Sequence, residues 1–453
     1  MNETPGASAR ISYLDRLRHL SRPARLYLLH AALLTISLAI SSLFFNLAIG
    51  ALGYPRTFLG LLNTVSIGVA ALLSVPLWWL AARVGLRWGL LTNAVLQLIC
   101  ALLFALWPAA APLLLYSALS GVAAVLFQVS SPPFMMRHSD AESRDHLFTL
   151  NAAINIGLAG VGSLIAGGLP ALFGRLRGVG AESATAYQTT FLVTAGGLLL
   201  SIVPLLLIDE REPRTEDVQT QNLASPQTQN LASPQTQNLA SPPATYPSKI
   251  QNLKSKLPDF WQQILTRPGP LIRLLIPPLM ISFGAALLIP YLNLFFKQRF
   301  AIADTTLGAI FAALNVSIGV AALLGPAISA RIGKIRTVAL TQALSIPFLL
   351  ALGFAPVFVL VIGAALARAA LFNMASPLYD AFAMERTEEA ARPTVIGLIN
   401  GAYSVGYLVA PAISTWTQAN YGFGPLFVGT AICYSLAALS NYVFFVRNPE
   451  VTR

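Results

Sequence analysis

The stretch VSIGVAALL occupies residues 65–73 and returns unchanged at residues 316–324. One apolar run of this length fits a buried strand, a core helix or part of a membrane span, so a single copy decides little. The surroundings decide. Each copy sits inside a longer apolar run of about twenty residues, the length a helix needs to cross a hydrocarbon layer of about 30 Å. Charged residues make up 10% of the chain, against roughly 25% in soluble domains, and they fall in short stretches between such runs. A soluble fold of this size needs more polar surface. The chain therefore reads as an all-α polytopic membrane protein. A β-barrel is excluded because strands of about ten alternating residues do not occur.

Twelve spans are expected, at 26–50, 57–80, 88–106, 112–134, 148–172, 188–208, 271–295, 305–330, 337–355, 357–379, 394–416 and 425–446. The first follows a basic segment, as a signal peptide would, but it exceeds a signal's apolar core and is kept as a span. Lys and Arg set the orientation. One set of segments carries Arg10, Arg16, Arg18, Arg22, Arg25, Arg83, Arg87, Arg137, Arg144, Arg331, Lys334, Arg336, Arg386 and Arg392; the opposite set carries Arg56, Arg175, Arg177, Lys297 and Arg299. Both termini are thus expected in the cytoplasm, in an inner or plasma membrane. The net charge of +11 is a topology signal, and no basic cluster interleaved with stacking aromatics points to nucleic acid. Trp78, Trp79, Trp88, Trp107 and Trp416 fall near span ends, where indoles belong. Cys100 and Cys433 lie inside spans, far apart and without metal-ligand spacing, so neither redox chemistry nor a metal is expected.

The repeat extends well past its nine identical residues. LSRPARL before the first span corresponds to LTRPGPL before the seventh, and Asn46 corresponds to Asn293. AARVGLR follows one copy and ARIGKIR the other; FQVSSP from Phe127 answers FNMASP from Phe372, and NAAINIG from Asn151 answers NGAYSVG from Asn400. Such an ordered series implies two parallel six-helix repeats, since six crossings return the chain to its starting side. The expected organisation is a bundle over 1–208, a linker over 209–270 and a second bundle over 271–453. The linker holds QTQNLASP three times in tandem, Gln219 to Pro242, too polar and too poor in aromatics to fold by itself. Residues 257–265, with Phe260, Trp261 and Ile264, read as a short interfacial helix.

Parallel repeats joined by a long loop suit a transporter whose halves rock about a central site. Here the chain resembles the major facilitator superfamily, across nearly all of its length outside the linker. That family carries Gly-x-Leu-Ala-Asp-Arg-x-Gly-Arg/Lys between its second and third helices. Residues 78–86 keep Leu80, Ala81, Arg83 and Gly85, with Arg87 one place late, but have Trp78 and Ala82 at the glycine and aspartate positions. The second copy, residues 326–334, keeps Arg331, Gly333 and Lys334 and again has alanine, Ala330, for the aspartate. The resemblance implies a cytoplasmic gate made by Arg83, Gly85, Arg87, Arg331, Gly333, Lys334 and Arg336, bound to acidic loop residues or helix C-termini.

Polar side chains inside spans are candidates for the site. On the helices that line the cavity in the resembled family, the substrate-binding set expected here is Arg368, Asn46, Gln128, Asn155, Tyr291, Asn293, Asn373 and Tyr403, with Asn63, Asn151, Asn315, Asn400 and Tyr407 nearby. Each is alternatively a bond between neighbouring helices. Arg368 stands apart. It lies about 16 to 18 Å from either interface, too deep to snorkel, where an unpaired cation costs at least about 2.5 kcal/mol. No Asp or Glu occurs in any span interior, so a substrate anion or helix carbonyls are its expected partners. Asp380, Asp304 and His30 lie nearest a pathway, His30 being expected at the interface; proton coupling and uniport both stay open.

Gly157, Ser163 and Gly167 in the fifth span allow close helix packing, and GSLIAGG at 162–168 resembles the family's Gly-Pro-x-x-Gly-Gly antiporter motif, with serine for proline and one extra residue. Pro277, Pro278, Pro290 and Pro411 are expected hinges. No GxxxxGK[ST] loop offers direct ATP drive, and no nucleophile, base and acid converge on one loop, so neither an enzyme nor a cofactor is expected. The expected function is a secondary or facilitative transporter working by alternating access, as a monomer in the bilayer, on a small-molecule substrate and with a coupling proton as an option. Efflux of amphipathic neutral or anionic compounds comes first. The alternatives are an uptake permease for a sugar or metabolite, or a membrane sensor without turnover.

Overall fold

Helices form wherever the sequence is apolar for about twenty residues, because lipid offers the backbone no other partner than itself. The computed structural model describes residues 20–140, 143–209, 269–387 and 391–447. The tandem repeats and the interfacial helix expected over 257–265 lie outside them. Among the described residues are twelve helices long and apolar enough to cross a membrane. They are α1 (Arg22–Ala51), α2 (Arg56–Val84), α3 (Leu86–Leu106), α4 (Ala110–Arg137), α5 (Arg144–Arg177), α6 (Ala184–Leu206), α7 (Gly269–Phe300), α8 (Asp304–Ile332), α9 (Lys334–Phe354), α10 (Phe358–Glu385), α11 (Arg392–Tyr421) and α12 (Gly424–Asn441).

Local chemistry sets several boundaries. Ser21 caps α1, its hydroxyl accepting from Ala24 N at 3.4 Å, with Pro23 in the first turn. The earlier start places His30 two turns into the helix. It is fully buried between helices, with Nδ1 2.8 Å from Ser201 O of α6. Since a carbonyl only accepts, Nδ1 carries the proton.

Gly85 and Gly333 each make the single-residue joint between two helices at φ 109° and 89°, backbone that a side chain resists. This joint is why both repeats keep glycine in the family signature. α7 breaks at Ile289–Tyr291, a 3-10 turn around Pro290. The helix runs unbroken through Pro277 and Pro278, both buried, and α11 runs through Pro411. At these three prolines, the expected hinges, the helix continues without a break, and α7 packs on α11 and α12.

The two sets of six helices repeat one contact scheme. In the first, α1 packs on α5 and α6, α4 on α2 and α3, and α3 on α6; in the second, α7 packs on α11 and α12, α10 on α8 and α9, and α9 on α12. The two sets meet through α5 with α8 and α2 with α11. These two contacts exchange when the repeats are exchanged, so a pseudo-twofold axis relates the halves. The chain is an integral membrane protein of two parallel six-helix repeats.

Candidate functional site

The near face is taken as the one where α1 begins at Arg22, the far face as the one where it ends at Ala51. On the far side the halves are in close contact. A Cβ on Gly167 of α5 would lie 3.0 Å from Asp304 O, and one on Gly308 of α8 would lie 2.5 Å from Ser163 O. A Cβ on Gly60 of α2 would lie 2.2 Å from Thr415 Oγ1 of α11. Small residues at these crossings let the backbones meet. A Cβ on Gly157, expected to pack likewise, would meet nothing within 4 Å, although its neighbour Ile156 lies against Gly319 of α8.

Polar bonds add to the far-side seal. Asn46 donates to Pro290 O at 2.6 Å and to Asn293 Oδ1 at 3.1 Å, while Asn293 donates to Leu43 O at 2.8 Å. Asn63 donates to the Tyr291 hydroxyl at 3.2 Å, and Arg56 to Gln418 O at 2.9 Å. Between Glu182 and Tyr187 of the first half and Lys297 and Asp304 of the second lies a charge cluster. Lys297 pairs with Glu182 and, at 2.7 Å, with Asp304, which also accepts from the Tyr187 hydroxyl at 3.3 Å. Asp304 is buried, so the pair is desolvated where Glu182 is not.

Towards the near face α2 and α11 diverge around a cavity of about 610 Å³. Ser66, Ala71 and Ala124 line it from the first half and Asn400, Tyr403 and Tyr407 from the second, with Gln128 on α4. No charged side chain is in this lining, and its wall is mostly small or apolar. Tyr403 also borders a small neighbouring cavity with Asp380, Gln342 and Ser376. Towards the far end lies a second chamber of about 300 Å³, and Ser66 of α2 lines both. Asn46, Asn63 and Pro290 line this chamber too.

The expected substrate residues therefore separate. Gln128 and Tyr403 face the main cavity, Asn46 faces the inner chamber, and Tyr291 and Asn293 are buried in the seal. Asn155 accepts from Thr35 Oγ1 at 2.8 Å between α5 and α1, and exposed Asn373 turns back to Ala369 O. Arg368 is buried; its Nη2 donates to the Tyr434 hydroxyl at 2.9 Å and its guanidinium lies 5.0 Å from the Phe372 ring, while Nε has no partner among the described residues.

Of the expected gate residues, Arg87, Lys334 and Arg83 have partners inside their own halves. Arg87 donates to Leu205 O and Leu206 O at 2.9 and 3.0 Å, at the C-terminus of α6, and Lys334 pairs with Glu385. Arg83 lies 3.6 Å over the Trp79 ring, and Arg331 and Arg336 are exposed. Sequence reasoning missed the Glu182–Lys297–Asp304 cluster, although all three residues lie near span ends on one side. It also missed the serines of the inner chamber, having weighed only larger polar side chains.

A family model described as Major Facilitator Superfamily matches residues 27–298 and again 274–453. No curated protein matches the sequence. Among solved structures, a bacterial homologue of the human lysosomal transporter Spinster, inward-facing and unoccupied, is 14% identical with a TM-score of 0.69, over 96% of this chain and 95% of that one. A D-xylose-proton symporter is 16% identical with a TM-score of 0.68, over 96% and 98%. A variant of the nucleoside transporter NupG is 13% identical with a TM-score of 0.62, over 93% and 100%. At such identities the likeness concerns the fold.

Proposed function

We propose that this chain, which belongs to the major facilitator superfamily, exports amphipathic neutral or anionic small molecules by alternating access. The observation that carries the reading is the main cavity: about 610 Å³, uncharged, walled by both halves and open on the face that bears most of the Lys and Arg. With the termini cytoplasmic, that opening admits solutes from the cytoplasm while the far-side seal shuts the other exit. An apolar wall with a few hydrogen-bonding groups recognises an amphipathic solute and offers a free ion nothing in exchange for its hydration. Tyr407, which lines the cavity, is within electrostatic reach of Arg368, so an anionic group that displaced the tyrosines would meet a guanidinium. The halves 1–208 and 271–453 are the rocking bodies, joined by the segment 209–270.

The test is flux in proteoliposomes with the near face exposed, using amphiphiles of matched chain with neutral, anionic and cationic heads. Uptake of the neutral and anionic compounds, with the anionic one lost in Arg368→Gln, supports the reading. Flux of the cation alone, or of free sugars alone, overturns it.

A further inference from the structure

The inner chamber is chemically unlike the main cavity. Ser66, Gln97, Ser117 and Ser120 face it from α2, α3 and α4, and none has a side-chain hydrogen bond among the described residues. Asn46 and Asn63 use their amide N–H groups on Pro290, Asn293, Leu59 and Tyr291, which leaves their carbonyl oxygens as unused acceptors. Unused polar capacity in a bundle core is costly unless water or a ligand takes it. Beside these groups Phe45 and Tyr116, both in the lining, stack at 5.1 Å and 14° and present a flat apolar surface.

We infer that this chamber is a head-group site for an uncharged, polyhydroxylated moiety, and that the transported amphiphile keeps its apolar body in the main cavity. The inference rests on the reading of that cavity as the transport site. Serine hydroxyls both donate and accept, as does the carboxamide of Gln97, so they match hydroxyls of either polarity. A carboxylate or ammonium would enter without a counter-charge and lose its hydration. A purely apolar group would strand six polar side chains. A ring whose edge carries hydroxyls and whose face is C–H satisfies both the serines and the aromatic pair. Ser66 lines both compartments, so the two adjoin at α2.

The experiment uses the full chain in lipid nanodiscs, with thermal stabilisation titrated against n-octyl β-glucoside, 1-octanol, n-octyl sulfate and octyltrimethylammonium, all below their micelle concentrations. Ligand that binds only the native state raises its stability by mass action, so each titration yields an apparent affinity. The expected result is glucoside binding about tenfold or more tighter than octanol, the effect of two hydrogen bonds. In Ser117→Val/Ser120→Val that preference disappears while octanol binding persists; Gln97→Leu, at a half-buried position, gives the same answer should the double variant fold poorly. No glucoside preference, or a preference intact in both variants, overturns the inference. Ala124→Phe fills the main cavity and is expected to abolish binding of every amphiphile. If it changes none of them, the cavity reading itself fails, and that result is separate from the head-group result.

Discussion

Asn46 and Asn293, equivalent positions of the two repeats, bond to each other at 3.1 Å across the pseudo-twofold axis. Their remaining bonds obey the same symmetry: Asn46 reaches Pro290 O and Asn293 reaches Leu43 O, carbonyls three residues back in the opposite repeat. An internal duplication has become a self-complementary contact, like an isologous interface within one chain. It fixes the register of α1 against the broken α7 and closes the far face.

Asn46→Leu or Asn293→Leu is expected to open this closure. Losing these bonds with one partner left buried costs about 1–3 kcal/mol, a roughly 5- to 150-fold shift in the balance between cavity orientations. Thr415, buried against Gly60 at the same seam, reports the shift. In a background without Cys100 and Cys433, Thr415→Cys should react faster with an impermeant thiol reagent from the far side. Unchanged reactivity in both variants means the pair is not a latch.

The charge cluster should respond unequally to its parts. Lys297→Met strands buried Asp304 without a counter-charge, an effect of about 3–5 kcal/mol. Glu182→Gln removes a pair that is 65% exposed on the acidic side, worth at most about 1 kcal/mol. Thermal denaturation of the two variants in the same nanodiscs checks the order. Equal losses would mean that Asp304 is solvated.

Gly308→Ala is expected to separate α5 from α8, because the new Cβ would lie 2.5 Å from Ser163 O and 2.8 Å from Gly167 Cα. Gly157→Ala meets nothing within 4 Å and should gain up to about 1 kcal/mol of helix stability. The same thiol assay separates them, with faster far-side labelling for Gly308→Ala alone.

Arg368 and Tyr434 should behave as a unit. Tyr434→Phe leaves a buried guanidinium short of an acceptor and costs about 1–3 kcal/mol. Arg368→Met removes the charge and is expected to cost less, and the double variant should be no worse than Tyr434→Phe. Retained binding of neutral amphiphiles in Arg368→Met, with loss of anionic ones, accompanies this pattern if the guanidinium meets substrate.

The reading of Arg368 marks the limit of what one sequence offers. Its depth was legible from its position in the tenth span, and so was the lack of a carboxylate in any span interior. Its acceptor was not. Tyr434 lies 66 residues away on α12, and its approach depends on how α12 packs beside α10. His30 shows the same limit: its partner, Ser201 O of α6, lies 171 residues away.

The sequence by itself determined the twelve spans and their grouping into two parallel repeats, because backbone hydrogen bonding in lipid is satisfied within each helix and is a local matter. Tertiary structure alone decided which face is closed, which asparagines seal it, that Lys297 joins Glu182 to Asp304, and where the serines of α2 and α4 gather. Those outcomes depend on the relative register of two six-helix halves. Segments far apart in the chain set that register through the small-residue crossings of α5 with α8 and α2 with α11.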